Sequence, residues 1–244
     1  AEMGSQPLAG MVFVECNCLP EETEAEVAWV TALAQAEPRL RGIVAYCEIA
    51  EGDAARPQLE RLAVQDLVKG IRRNIQQEPD ASVILQPDFL AGVRAVGDVG
   101  LSFDLCFKHY QLPQVTQLVQ QCPEVFFILD HLGKPAICDG NFDPWRAELK
   151  ELADCTNVVA KISGMITEAD FKRWTVDDLK PYFEHMVTCF GPERLMFGGD
   201  WPVLRLASNL GRWVEVLDEL TVGWYPGDRN RLFHNNAVTY YRLD

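Results

Sequence analysis

The segment Arg194–Val203 places a single acid directly after a short apolar run. The run 195–197 predicts a buried strand, and the two glycines that follow allow the backbone to turn or to be approached closely. Parallel α/β folds bind ligands just beyond the carboxyl ends of their strands. Asp200, which stands at that position, is therefore a candidate general base or metal ligand. The alternative is that Asp200 only caps the next segment.

A histidine occupies a similar position after another apolar run. His131 follows a predicted strand and precedes Leu-Gly-Lys-Pro. A neutral imidazole there can bind a metal or orient a substrate, and the alternative is a core histidine bonded to backbone. His109 lies several residues past its strand. It is a candidate site residue, and the alternative is a solvated loop residue. His185 and His234 lie on predicted helices, which indicates structural roles.

Seven short β-rich runs recur along the chain, beginning near residues 12, 42, 68, 101, 125, 157 and 194. Segments with helical spacing lie between them. Two of these carry apolar stripes, formed by Leu112, Val115, Leu118, Val119 and Cys122 and by Leu179, Phe183, Met186, Val187 and Phe190. Regular alternation of strand and helix predicts a parallel sheet in an α/β fold.

Seven units are one fewer than a closed barrel needs. The sequence therefore predicts a (β/α)8 TIM barrel whose first β/α unit is absent from this chain, with residues 1–10 as the end of the preceding helix. No linker or low-complexity run interrupts the alternation, so we expect residues 1–244 to form one N-terminally incomplete barrel domain. An open doubly wound sheet is the alternative, but no Gly-rich phosphate loop follows any run.

Polar residues follow most of the predicted strands. In a barrel the strand ends meet on one face, so these side chains should converge there. They are Glu15, Arg72, Arg73, Asp104, Lys108, His109, Asp130, His131, Lys161, Ser163 and Asp200. Arg72 and Arg73 should point to opposite faces, so at most one of them enters the barrel. An inward guanidinium suits a carboxylate or polyhydroxyl ligand.

Composition excludes several classes of partner. A formal net charge of −14, without a cluster of Lys and Arg, argues against nucleic acid and anionic membranes. No run approaches the roughly 18 apolar residues of a membrane span, and we expect a soluble, cytoplasmic protein. The eight cysteines lack Cys-x-x-Cys spacing, which favours buried reduced thiols over a disulfide or zinc framework. The sequence leaves open whether the protein forms a homo-oligomer.

Four motifs carry a family resemblance, and they cover nearly the whole chain. They are Gly70-Ile-Arg72, Asp130-His-Leu-Gly-Lys-Pro135, Lys161-Ile-Ser-Gly-Met165 and Phe197-Gly-Gly-Asp-Trp-Pro202. In this order and spacing they resemble the amidohydrolase-related family, in the sugar-lactonase branch that includes L-fuconolactonase and L-rhamnonolactonase. Asn235-Asn-Ala237, followed by Tyr240 and Tyr241, is similar to the family's closing helix. The resemblance implies a (β/α)8 barrel that hydrolyses lactones.

The resemblance also implies residue roles. Asp200 would activate the attacking water, and His131 would contact metal or substrate, so both are candidate catalytic residues and metal ligands. The residues implied in substrate binding are Arg72, Lys108, Ser163 and Trp201. The family's His-x-His pair is missing, since none of the four histidines are two residues apart. We therefore expect a divalent metal such as zinc to bind weakly or not at all and not to be required.

Lactone hydrolysis needs a nucleophilic water, a polarised carbonyl and a stabilised oxyanion. We expect a hydrolase of carbohydrate metabolism that opens a sugar lactone, an aldonolactone, with water activated by Asp200. One alternative is a non-catalytic barrel or pseudo-enzyme, which the missing histidine pair favours and the strand-end polar residues oppose. Another is a related metal-dependent decarboxylase, although the motifs resemble the lactonase branch more closely.

Overall fold

A computed structural model gives the structure of the protein, and it describes residues 7–243. Seven parallel strands are hydrogen-bonded in chain order. They are β1 (Met11–Val14), β2 (Leu40–Tyr46), β3 (Val68–Arg72), β4 (Ser102–Leu105), β5 (Phe127–Leu129), β6 (Val158–Ile162) and β7 (Leu195–Phe197). The seven predicted strands and the α/β fold class are thus confirmed.

Helices connect successive strands and also follow the last one. They are α1 (Thr23–Ala36), α2 (Arg56–Ala63), α3 (Pro87–Asp98), α4 (Leu112–Gln121), α5 (Trp145–Ala153), α6 (Met165–Glu168), α7 (Val176–Phe190), α8 (Leu210–Leu220), α9 (Pro226–Asn230) and α10 (Asn236–Tyr241). The two predicted apolar stripes fall on α4 and α7, with Cys122 directly after α4. Because the helices follow parallel strands, each strand's carboxyl end opens into a loop at the same edge of the sheet.

The sheet has two apolar faces of different size. Residues such as Ile43, Ala45 and Phe103 belong to the large core that the helices cover. Val44, between the first two of these, instead packs with Ile128, Val159 and Met196 in a small second cluster. Side chains on β2, β5, β6 and β7 therefore meet across the inner face, so the sheet is curled like part of a TIM barrel. The closed eight-stranded barrel stays a prediction.

The predicted helix end over residues 1–10 is not found where it can be checked. Residues 7–10 have no regular structure, so that part of the prediction is wrong, and residues 1–6 lie outside the described part of the chain. Pro7 and Gly10 disfavour helix in this segment. None of the helices between residues 7 and 243 is both long and apolar enough to cross a membrane.

The cysteines agree only partly with expectation. All eight are free thiols, and Cys47, Cys106 and Cys122 are buried. Cys16 and Cys138 are exposed, however, so the expectation of burial is wrong for these two. Cys16 lies in the loop after β1 and Cys138 in a short 3-10 turn, both outside the core elements, and Cys18, Cys155 and Cys189 are partly buried.

Candidate active site

Asp200 and His131 face each other at the carboxyl ends of β7 and β5. His131 Nε2 lies 3.6 Å from Asp200 Oδ1. The hydroxyl of Thr167 on α6 lies 3.3 Å from the second carboxylate oxygen, Oδ2, and 2.9 Å from the carbonyl oxygen of Gly164. The side chains of His131 and Asp200 are 13% and 14% exposed. Both groups are therefore shielded by the fold but reachable by a small molecule.

The neighbouring strand fixes the imidazole ring. His131 Nδ1 lies 2.8 Å from Ser163 Oγ, just after β6. A Cβ added to Gly164, whose φ is +69°, would lie 2.8 Å from His131 Cβ, so only glycine admits the ring here. A Cβ added to Gly198 would similarly lie 2.7 Å from Ser163 Cβ. The glycines of two sequence motifs thus allow β6 to approach His131 and β7.

His131 is a neutral imidazole at neutral pH. Burial lowers its pKa below the ordinary value, and the nearby Asp200 carboxylate opposes this shift without reversing it. A neutral ring has one N–H donor and one acceptor nitrogen. If the Ser163 hydroxyl donates to Nδ1, then Nε2 carries the proton and points towards Asp200. That tautomer directs an N–H donor at Asp200 Oδ1.

Beneath this pair lies a group of buried polar side chains, which we call the buried charge network. It consists of Glu15, Arg72, Asp104, Asp130, Lys161 and Tyr241. Lys161 Nζ donates to Asp104 Oδ2 at 2.7 Å and to Asp130 Oδ1 at 2.6 Å. Arg72 donates to Asp130 Oδ2 at 3.0 Å and to Glu15 Oε1 at 2.6 Å. The ladder pairs Arg72 with Asp104, so their side chains share the inner face of the sheet.

The two central carboxylates of this network differ in acidity. Burial favours the protonated form of Asp130, but the charges of Lys161 and Arg72 outweigh it and hold the pKa of Asp130 well below its usual range. Burial raises the pKa of Asp104, and Lys161 only partly opposes that shift. Burial would lower the pKa of Lys161, but Asp104 and Asp130 raise it well above the ordinary value. Lys161 is therefore an ammonium ion inside the sheet.

Two lysines stand at the edge of the site. Lys108 Nζ and Lys134 Nζ each lie 3.8 Å from Glu168 Oε1. Lys134 also donates to Gln76 Oε1 at 2.8 Å. Burial raises the pKa of Glu168, and the two lysines oppose the shift. Because Glu168 follows Thr167, this group adjoins Asp200 and places two cations against one carboxylate beside the candidate base.

The structure brings most of the predicted site residues together. Asp200, His131 and Ser163 are in contact, and Lys108 lies at the edge of the site. Trp201 follows Asp200 directly and is 57% exposed. Arg72 lies in the buried charge network, where it donates to Glu15 and Asp130, so its predicted contact with substrate stays a prediction.

The remaining predicted residues lie away from the Asp200 carboxylate. Arg73 pairs with Glu48 and Glu78 instead of entering the network, so the two adjacent arginines do point to different places. The ring of His109 bonds to the carbonyl of Lys134. His185 bonds to the carbonyl of Arg146, while His234 is exposed and bonds to Asn235. These two histidines take no part in the site.

Sequence analysis missed three residues near Asp200: Thr167, Glu168 and Lys134. Thr167 and Glu168 are on the four-residue helix α6, which is too short to give a periodic pattern. Lys134 lies within the Asp130–Pro135 motif, and its left-handed backbone, with φ 50°, turns it towards Glu168. That motif was the available signal for Lys134, and none existed for the pair on α6.

Three of the described side chains are grouped as possible metal ligands. Cys106, Asp130 and His131 each place a possible ligand atom within 4.8 Å of the others. Burial raises the pKa of the Cys106 thiol to about 11, however, so a metal would have to displace its proton. Asp130 is already bonded to Lys161 and Arg72. His131 and Asp200 can together offer two ligands, fewer than the three protein ligands of typical catalytic zinc sites.

Comparison with known proteins finds an amidohydrolase family model and relatives named as sugar lactonases. Residues 9–243 match the family model described as Amidohydrolase. An L-fucono-1,5-lactonase from Burkholderia multivorans is 33% identical over 259 residues, which cover 99% of this chain and 83% of that protein. An L-rhamnono-gamma-lactonase from Scheffersomyces stipitis is 26% identical over 204 residues, covering 72% of this chain and 60% of that protein.

Comparison with solved structures also finds amidohydrolases. The crystal structure of an amidohydrolase from Burkholderia multivorans with bound zinc superimposes on this chain with a TM-score of 0.87. The two are 28% identical, and the match covers 97% of this chain and 84% of that one. A likeness of this extent shows that the two chains share their fold.

Proposed function

This chain belongs to the amidohydrolase family, and we propose that it hydrolyses a sugar lactone with water activated by Asp200. The relatives named L-fucono-1,5-lactonase and L-rhamnono-gamma-lactonase support a sugar-lactone substrate at the level of the family. The observation that carries the mechanism is the 3.6 Å approach of His131 Nε2 to Asp200 Oδ1 at the carboxyl edge of the sheet.

Asp200 is the proton acceptor in this proposal. A carboxylate at the strand end, 14% exposed, can take a proton from a water while that water's oxygen attacks the lactone carbonyl. Oδ2 lies beside the Thr167 hydroxyl, whereas Oδ1 faces His131 and is the oxygen that takes the proton. When the tetrahedral intermediate collapses, the ring C–O bond breaks, and the proton held by Asp200 passes to the departing alkoxide.

His131 stabilises the negative charge that develops on the carbonyl oxygen. Its neutral ring, with Nδ1 against the Ser163 hydroxyl, presents the Nε2 proton at the site. A donor already held in place is effective because no reorganisation is needed as the charge forms. Ser163 therefore acts through His131, and its side chain is 1% exposed, which suits an orienting role.

We propose that Trp201 and Lys108 contact the sugar at the open side of the site. The exposed indole of Trp201 offers an apolar face beside Asp200. Lys108 and Lys134 adjoin the place where hydrolysis creates the product carboxylate, and their 3.8 Å distances to Glu168 leave room for another acceptor. Arg72 shapes the floor of the site through Asp130.

A divalent metal in this family is supported by the zinc-bound amidohydrolase from Burkholderia multivorans. In this chain the donor set favours weak binding, because Cys106 would have to lose its proton and Asp130 is already bonded to Lys161 and Arg72. We therefore propose that zinc binds weakly, at His131 and Asp200, and that proton transfer to Asp200 proceeds without it.

We also propose that the seven strands belong to an eight-stranded barrel. Among the described strands, β1 and β7 each have one neighbour, and they form the two edges of the curled sheet. Unpaired edges are a hazard that closed barrels remove. An eighth strand between β7 and β1 would close the barrel beside Asp200 and Glu15.

A pH-indicator screen of aldonolactones with the purified chain tests the proposed function. Ring opening releases one proton per turnover at neutral pH, and the control is the same screen with heat-denatured protein and with His131→Asn. We expect turnover of at least one 1,4- or 1,5-lactone of a sugar acid above both controls. Absence of turnover across the panel, with the protein folded, would exclude a lactonase and favour a non-catalytic barrel.

A further inference from the structure

The last described residues, at and after the end of α10, pack inside the curled sheet. Tyr241, at the end of α10, and Leu243 are 2% and 6% exposed. They pack with Val44 and Met196 in the inner cluster, among side chains from four strands. Gly42 of β2 makes room for this segment, since a Cβ added there would lie 3.0 Å from Leu243 Cδ2. The last helix thus fills the inner face below the candidate site.

The Tyr241 hydroxyl links this segment to the buried charge network through a hydrogen bond to Asp104. It donates to Asp104 Oδ2 at 2.6 Å, and Lys161 Nζ donates to the same oxygen at 2.7 Å. Asp104 is fully buried, and its other oxygen, Oδ1, has no hydrogen-bond partner within residues 7–243. A buried carboxylate with few donors depends strongly on each one that it has. Tyr241 is therefore one of the two groups that hold Asp104 in place.

The network reaches the candidate site by two routes. Lys161 joins Asp104 to Asp130, which is the residue before His131. Lys161 also lies two residues before Ser163, whose hydroxyl bonds to the His131 ring. A shift of the ammonium would therefore move both the backbone that carries His131 and the hydroxyl that orients it.

We propose that Tyr241 is a positioning residue for the reaction. Its hydroxyl fixes Asp104, Asp104 fixes the ammonium of Lys161, and Lys161 sets the geometry of His131 through Asp130 and Ser163. This inference rests on the proposed function for its kinetic consequence. It also makes a structural claim about His131 that can be measured without any substrate.

The adjacent tyrosine is a matched control. Tyr240 precedes Tyr241 on α10, stacks on Phe126 and donates its hydroxyl to the carbonyl of Glu193 at 2.8 Å. Its hydroxyl is therefore bonded outside the buried charge network. Tyr240→Phe and Tyr241→Phe each remove one hydroxyl from the same helix while keeping the ring. An effect seen only in Tyr241→Phe is therefore due to the loss of the hydrogen bond to Asp104, because both variants lose one hydrogen bond.

The kinetic test compares these two variants on the lactone found by the screen. We expect Tyr241→Phe to lower kcat about tenfold, as loss of one hydrogen bond to a charged group can do, with KM within about twofold of wild type. Tyr240→Phe should leave both constants unchanged. Equal kcat values for the two variants would overturn the proposal, as would a change in KM alone.

The spectroscopic test follows the His131 imidazole by NMR, with its signals assigned by their loss in His131→Asn. Tyr241→Phe should shift the ring signals of His131, and Tyr240→Phe should not. This result decides the proposal even if wild type hydrolyses no lactone, which would refute the proposed function separately. Unshifted His131 signals in folded Tyr241→Phe would overturn the positioning role. If that variant fails to fold, Asp104→Asn, which keeps an acceptor oxygen, is judged by the same criteria.

Discussion

Replacing Lys161 with methionine should strongly destabilise the fold. The substitution keeps an unbranched side chain of similar volume but removes the ammonium that lies 2.7 Å from Asp104 Oδ2 and 2.6 Å from Asp130 Oδ1. The lysine side chain is only 10% exposed, and the two carboxylates are 0% and 1% exposed. Little water reaches these groups, so Asp130 keeps only its bond to Arg72, and Asp104 keeps only its bond to the Tyr241 hydroxyl.

The magnitude follows from these distances. At an effective dielectric constant of about 20, each contact is worth roughly 6 kcal/mol of attraction, most of which the desolvation of the ions offsets. Breaking such a buried pair by removing one partner typically costs about 3–5 kcal/mol. For a chain of this size, that corresponds to a fall in Tm of roughly 6–20 °C.

Urea unfolding followed by tryptophan fluorescence measures this loss, with Lys150→Met as the matched control. Lys150 pairs with Asp154 on the surface of α5, with side chains 54% and 65% exposed, so its replacement should cost less than about 1 kcal/mol. Adding Asp104→Asn to Lys161→Met should recover part of the stability, because one uncompensated acid is removed. A loss below about 1 kcal/mol in Lys161→Met would refute the account of the network.

Three further predictions concern the His131 side of the site. Gly164→Ala should lower kcat by about tenfold or more, because the added Cβ would lie 2.8 Å from His131 Cβ; Gly140→Ala, also at positive φ but with nothing within 4 Å, should keep kcat. Because burial lowers the pKa of His131, the unfolded chain binds more protons, so the free energy of unfolding should fall as pH drops through about 6.5. In His131→Asn, the free energy of unfolding should decrease less steeply with falling pH, as measured by urea unfolding at a series of pH values. Metal analysis after dialysis should find zinc well below one equivalent, and stoichiometric, tightly held zinc would contradict the proposed donor set.

The strands and the placement of the polar residues were predictable because both depend on local pattern. Apolar runs that end in polar residues identified β5 and β7, and the order of parallel strands put Asp130, His131 and Asp200 at one edge. The contact of His131 with Asp200 then follows from the curl of the sheet, which brings two non-adjacent strand ends together.

What could not be predicted depends on long-range contacts. Nothing in the local sequence shows that Tyr241 reaches Asp104, because 137 positions separate them. Arg72 was expected to bind substrate, yet its environment is set by Glu15 and Asp130, each from a different strand. Thr167 was missed because α6 has only four residues. Residue type indicated where charge would lie, but not which charges would neutralise one another.

Steady-state kinetics of Asp200→Asn test the central claim most directly. The amide has the same shape as the carboxylate and keeps an oxygen for the Thr167 hydroxyl, so Tm should stay close to wild type. If Asp200 accepts the proton of the attacking water, kcat on the best aldonolactone should fall by about 10²–10⁴-fold with little change in KM. A folded Asp200→Asn variant with near-normal turnover would contradict the assignment of Asp200 as the base.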